Sequence, residues 1–184
     1  MSGIWLATFI LIKHNMAAIM NENQTLKPNA IIVGEHLYNE AIKGIIQSAS
    51  HELLIFDQNL MLGGFSDTAS YELLQKFLSQ NIASQLFIIL QDATYFQNKC
   101  PRLLNLLKTF GHKMQVHITN QTAKHAKDCF IIADKKHYIK RIHVGQARFK
   151  YAYDDVATVK MLSTRFDELK ETIEDVVSIT PLGL

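Results

Sequence analysis

The feature that most constrains this chain is a change of hydrophobic period that repeats along residues 35–119. From Glu35 to about Ser50 the apolar residues Leu37, Ala41, Ile42, Ile45, Ile46 and Ala49 fall on one helical stripe. Leu53-Leu54-Ile55-Phe56 then forms a short continuous apolar run, as a strand covered on both faces requires. The cycle recurs. A Gly63-Gly64 loop ends at the helix-start signal Ser66-Asp67, and Tyr71, Leu74, Phe77 and Leu78 give a second helical stripe. Leu86 to Leu90 is a second strand, and Gln91 to Lys99 reads as a loop. Pro101 opens a helix faced by Leu103, Leu104, Leu106, Leu107 and Phe110, with Gly111 in the place of a C-terminal cap. Met114 to Ile118 is a third strand. Strands separated by helices need crossover connections, so the spacing predicts parallel strands with helices packed on the sheet.

The pattern then changes. Lys127 to Ala133 and His137 to Ile142 read as two strands joined at Asp134-Lys135-Lys136, an antiparallel hairpin. The last element reads as a helix from about Asp155 to Val177, with the stripe Val159, Leu162, Phe166, Leu169, Ile173 and Val176. Asp154 or Asp155 suits its N-cap, and Pro181 stops further helix. The stripe packs on the sheet or on a second copy of itself. The expected class is α/β, a mixed β-sheet flanked by helices on both faces. Residues 30–184 form one domain, and residues 1–29 are an N-terminal extension. Within that extension, Gly3 to Ile12 is apolar but far shorter than the ~20 residues a membrane-spanning helix needs. No integral membrane span is expected, and Met16 and Met20 are alternative starts.

A chain of 184 residues with 48% hydrophobic and 20% charged residues can bury a real core and is not a disordered polyelectrolyte. Two cysteines, Cys100 and Cys129, are too few for a disulfide framework and read as reduced thiols of a cytoplasmic protein, with one bridge between them still allowed. Charge is uneven. Residues 121–151 hold eight basic and two acidic side chains, a local balance of +6, whereas the rest of the chain holds 11 basic and 15 acidic. One surface is therefore either anion-facing or a strand edge guarded by lysines.

Several chemistries are excluded by absent motifs. There is no Gly-x-Gly-x-x-Gly, no phosphate loop and no Gly-x-Ser-x-Gly elbow. The histidine spacings do not make a metal site, and no cofactor is implied. What remains is His125-Ala126-Lys127. On an extended strand residues i and i+2 share a face, which sets an imidazole beside an ammonium. Such a pair suits a phosphodiester: histidine attacks phosphorus or shuttles a proton, and lysine neutralises the non-bridging oxygens. The plainer reading is two solvated polar residues at the start of a strand.

The stretch from His125 through Lys127 to Asp134 resembles the His-x-Lys…Asp signature of the phospholipase D-like superfamily, and the preceding elements resemble one half of that fold. The resemblance covers about residues 30–177 and is strongest to bacterial domains of that superfamily that have no assigned role. It implies His125, Lys127 and Asp134 as catalytic residues, with a phosphohistidine at His125 and a homodimer that brings two motifs together. The family pattern has four residues between lysine and aspartate, whereas six intervene here and Ile132 stands in the acidic position. The Gly-Ser and asparagine beyond the hairpin are replaced by Tyr138-Ile-Lys-Arg141-Ile-His143. Tyr138, Lys140, Arg141 and His143 are candidate ligand-binding residues; structural roles compete, with Tyr138 packing on the sheet and Arg141 pairing with Asp154 or Asp155. Three functions follow as expectations. The first is binding of nucleic acid or another phosphodiester through the surface from His125 to Arg141, with catalysis weak or lost. The second is a partner-binding module that uses the C-terminal helix. The third is a homodimeric phosphodiesterase.

Overall fold

The computed structural model describes residues 25–178. The N-terminal apolar run, the alternative starts and Pro181 lie outside the described residues. In chain order the elements are β1 (Ile31–Val33), α1 (Glu35–Ser48), β2 (Glu52–Asp57), α2 (Thr68–Gln80), β3 (Gln85–Leu90), α3 (Thr94–Lys99), α4 (Pro101–Thr109), β4 (Met114–Thr119), β5 (Cys129–Ala133), β6 (His137–Arg141), β7 (Arg148–Ala152), α5 (Val156–Lys170) and β8 (Ile173–Val176). The strands form one eight-stranded sheet in the order β1-β7-β6-β5-β2-β3-β4-β8. β2, β3 and β4 are parallel, as the alternation predicts, and every other pairing is antiparallel. The fold is α/β, a mixed sheet with helices on both faces.

Alternation along each strand divides the core. Leu53, Ile55, Leu86, Ile88, Val116, Ile131 and Ile139 face α1, α2, α3 and α4. Leu54, Phe56, Ile89, Phe130, Ile132 and Tyr138 face α5, where Val159, Leu162, Phe166 and Leu169 cover them. Phe166 meets Phe130 and Phe87 edge-on at 6.3 and 5.8 Å. The stripe of α5 is therefore spent on the chain's own sheet. A partner interface through Leu162 and Phe166 is excluded, because Phe166 is fully buried and Leu162 nearly so.

Other expectations need correction. The last helix ends at Lys170, and Ile173 and Val176 lie in β8 along β4. β-branched residues at 173, 176 and 177 fit a strand, and the outer side of β4 was open for pairing. The segment read as a loop before Pro101 contains α3, started by Asp92, whose carboxylate accepts the Thr94 N–H at 2.8 Å. Phe96 anchors α3 in the core. Gly111 follows the C-cap of α4, Phe110, whose N–H bonds the Leu106 carbonyl at 2.7 Å, but it is not at positive φ and forms no left-handed cap. The sequence pattern gives no signal for β1 or β7. β7 buries Phe149 and Tyr151 toward α1 and turns Arg148 and Lys150 away, an alternation hidden inside the basic segment. Of the two aspartates offered as the α5 cap, Asp155 serves, accepting the Thr158 N–H at 3.0 Å.

The hairpin forms where expected. Its turn places Asp134 and Lys135 at φ 52° and 55°, the left-handed pair of a type I′ connection. Gly63, at φ +85°, lies against Ile42, where an added Cβ would come within 2.6 Å of the Ile42 side chain.

Candidate functional site

Parallel strands β2, β3 and β4 end along one edge of the sheet, here called the upper rim. β5 begins there and β6 ends there, because Phe56 pairs with Phe130 and Cys129 with Arg141. The carboxyl ends of parallel strands are the usual place for ligands in open α/β sheets.

A buried polar node closes the rim between β2, β6 and α1. Asp57, last in β2, is 6% exposed, and its Oδ1 accepts the N–H groups of Leu60 at 2.7 Å and Asn59 at 3.0 Å. Those bonds hold Leu60 at φ 64°, an uncommon conformation for leucine. Burial pushes the Asp57 carboxyl upward despite the Leu60 and Asn59 N–H groups, the Cys129 thiol and the Arg141 charge, all of which favour its ionised form. Arg141 is 2% exposed, forks onto both Glu35 oxygens at 2.7 Å and lies over the Tyr38 ring at 5.1 Å. The expected pairing of Arg141 with Asp154 or Asp155 does not occur, since its side chain points to the α1 face of the sheet. Nor is its guanidinium open to a ligand. It joins the start of α1 to the end of β6.

On the rim itself, the motif residues do not lie on a strand. Ala123 to His125 form a short 3₁₀ turn, and β5 begins only at Cys129, so the shared strand face expected for His125 and Lys127 is absent. Gln91, 6% exposed at the end of β3, fixes this turn: its Nε2 donates to the carbonyls of Ala123 at 2.9 Å and Ala126 at 2.8 Å. The Lys127 carbonyl accepts the Val144 N–H at 2.7 Å, tying the turn to the β6–β7 connection. Sequence reasoning missed Gln91; a polar residue ending an otherwise apolar strand run was its only signal.

The structure gathers four of the seven expected site residues. His125 and Lys127 are exposed, and neither side chain has a hydrogen bond or ion pair among the described residues. Lys140 lies 3.5 Å from Asp128. His143 sits in the β6–β7 turn, its Nδ1 accepting the Gly145 N–H at 3.1 Å. His125 also lines a cleft of about 330 Å³ with Thr122, Arg165, Glu168 and Thr172. Tyr138 is 1% exposed beneath α5, where its ring is core and not ligand surface.

Asp134, expected beside His125 and Lys127, stands at the opposite edge of the sheet. The five residues of β5 separate them, roughly 17 Å at the rise of an extended strand. There its carboxylate accepts the N–H groups of Ser50 and His51 at 2.8 Å and Glu52 at 2.9 Å. Burial alone would raise the Asp134 carboxyl, but the three bonds from Glu52, His51 and Ser50 outweigh it and the net shift is downward. This aspartate fastens the β5–β6 turn to the start of β2. Among the described residues no group of three or more His, Cys, Asp or Glu could hold a metal ion, and no helix is long and apolar enough to cross a membrane.

The family model described as Domain of unknown function (DUF7931) matches residues 35–179. The chain belongs to that family. No curated protein matches the DUF7931 chain in sequence. Solved structures share its fold. One is TrmBL2, an archaeal chromatin protein whose structure shows a novel mode of DNA binding; the TM-score is 0.60 at 15% identity over 92% of this chain. The DUF7931 chain spans 63% of TrmBL2, less than two thirds of it. Another is Nuc from Salmonella typhimurium, a phospholipase D family member, with a TM-score of 0.58 at 10% identity over 81% of this chain and 99% of that one. NucT from Helicobacter pylori gives 0.51 at 10% identity over 78% and 96%. At these identities the likeness is one of fold, and the fold is phospholipase D-like.

Proposed function

We propose that this phospholipase D-like domain binds a phosphodiester or another anionic group on its upper rim, with catalysis weak or lost. One observation carries the reading. Gln91 holds a turn that presents His125 and Lys127 without a side-chain partner among the described residues, while Asp134 is committed to the far edge. A general base or nucleophile needs a partner that orients it. His125 has none among the described residues, whereas charge attraction needs only an exposed cation. Lys124 and Lys127 supply that charge beside His125, with Lys140, which Asp128 engages at 3.5 Å, and His143 in the β6–β7 turn nearby. A similar fold in a DNA-binding chromatin protein supports nucleic acid as one source of the phosphodiester.

The test is fluorescence anisotropy with short labelled DNA and RNA across a salt series. Binding should weaken with salt, and Lys127→Ala should lower affinity and reduce the log–log salt slope by about 1. Gln91→Ala should also weaken binding by releasing the turn. Hydrolysis of a generic phosphodiester should stay at background and be unchanged in His125→Ala. Absence of binding to any anionic probe at low salt would remove the proposal. Turnover that disappears in His125→Ala would restore the enzyme reading.

A further inference from the structure

The two ends of the sheet carry opposite charge. Residues 137–152, which contain β6 and β7, hold four cations and no acidic residue. Glu35 takes Arg141 and Asp128 takes Lys140. Arg148 and Lys150 on β7, next to the β1 edge, form no ion pair within 4 Å among the described residues, although the Lys150 charge acts on the nearby Asp155 carboxyl. Residues 167–176, which lead into β8, hold five acidic side chains, of which Asp167 engages Lys170 at 3.2 Å and Glu168 engages Arg165 at 3.3 Å. Glu171, Glu174 and Asp175 form no ion pair there. β7 and β8 lie six strand steps apart in the sheet, roughly 29 Å at the usual strand spacing. Unpaired cations on β7 and unpaired carboxylates at β8 thus stand at opposite ends of the sheet.

Each end also exposes aliphatic side chains. Ile31 is 53% and Val33 44% exposed on the α5 side of β1, in register with Lys150 and Arg148. At the other end Val176 is 51% exposed, on the same side of the sheet as α5. Beside it lies a groove of about 360 Å³ lined by Leu107, Met114, His117, Val176 and Val177, with one cation, Lys108, at its wall. Charged edges normally discourage sheet-to-sheet association. Edges of one sign repel a second copy; edges of opposite sign at the two ends attract it. We propose that copies of this chain associate head to tail, the β1–β7 end of one meeting the β8 end of the next. The occupant is a second copy because both halves of the complementary pair, charge and aliphatic side chains alike, are on one molecule. Two different surfaces meet in such a contact, so the assembly grows past a dimer with concentration, into a ring where the rotation closes and an open chain where it does not. This association is independent of the rim site, because Lys127 and His125 take no part in it.

Sedimentation velocity of the full chain over a concentration series tests it. In ~0.1 M salt the mean mass should rise past a dimer, and in ~1 M salt, where the screening length falls from about 10 Å to about 3 Å, it should return to monomer. Two charge reversals extend the test: Arg148→Glu with Lys150→Glu, and Glu174→Lys with Asp175→Lys. Each double variant alone should stay monomeric with an unchanged circular dichroism spectrum, and an equimolar mixture should associate again. Restoration by mixing also shows that both variants are folded. A wild-type chain monomeric at every concentration in low salt overturns the proposal. So does a closed dimer, or association that survives both reversals.

Discussion

Asp134→Ala separates a structural aspartate from a catalytic one. The Asp134 carboxylate accepts three backbone N–H groups, from Ser50, His51 and Glu52. Hydrogen bonds to a charged group contribute about 1.5–3 kcal/mol each when shielded. The Ser50 and His51 bonds are exposed, and their donors recover water when the carboxylate is removed. Counting the part-buried Glu52 bond fully and the other two weakly gives about 2–3 kcal/mol. Alanine at φ 52° adds strain of about 1 kcal/mol. The expected loss is ~3–4 kcal/mol for Asp134→Ala and ~1–2 kcal/mol for Asp134→Asn, which tolerates the turn conformation and keeps one acceptor. Urea unfolding at neutral pH measures it; with a slope of about 2 kcal/mol per molar, the alanine midpoint should fall by roughly 1.5–2 M. The sign with pH is also determined. The folded carboxyl lies below its unfolded value, so its stabilisation is complete above the ordinary range near ~3.9 and is lost as pH falls through the depressed value. The gap between wild type and Asp134→Ala should narrow in acid. A loss under ~0.5 kcal/mol at neutral pH would refute the reasoning. Unchanged stability with lost anion binding would return Asp134 to the site.

Two further outcomes concern the buried node. Glu35→Ala strands a guanidinium that is 3% exposed and should cost about 2–3 kcal/mol, less than for a fully buried pair because Glu35 is half-exposed; adding Arg141→Met should recover most of the loss in the same urea assay. Both cysteines are buried, and burial, followed by the Asp57 charge, pushes the Cys129 thiol far up, so neither should react with an aromatic disulfide reagent until denaturant is added. Prompt labelling of Cys129 in the native protein would contradict that packing.

Parallel β2, β3 and β4 were legible because their apolar runs and the helical stripes between them are local patterns, each set by which faces must be buried. The β5–β6 hairpin was legible from its polar turn Asp134-Lys135-Lys136. The three-residue β1 is too short to carry a period, and β7 hides Phe149 and Tyr151 among basic neighbours. The candidate site was legible only in part. Its cations could be counted along the chain, but their setting could not.

Sequence by itself determined the α/β class, the two buried faces of the central strands and the concentration of positive charge after residue 120, because all three depend on the order of side chains along a few turns or strand residues. Tertiary structure alone decided that residues 173–176 leave the α5 helix to cover β4, that Arg141 is sealed by Glu35 106 residues away, and that Asp134 holds Ser50 84 residues away and not the His125 turn. The physical reason is that a polar side chain takes the partner that register and burial bring within hydrogen-bond reach, and sheet register joins residues whose separation along the chain says nothing of their separation in space.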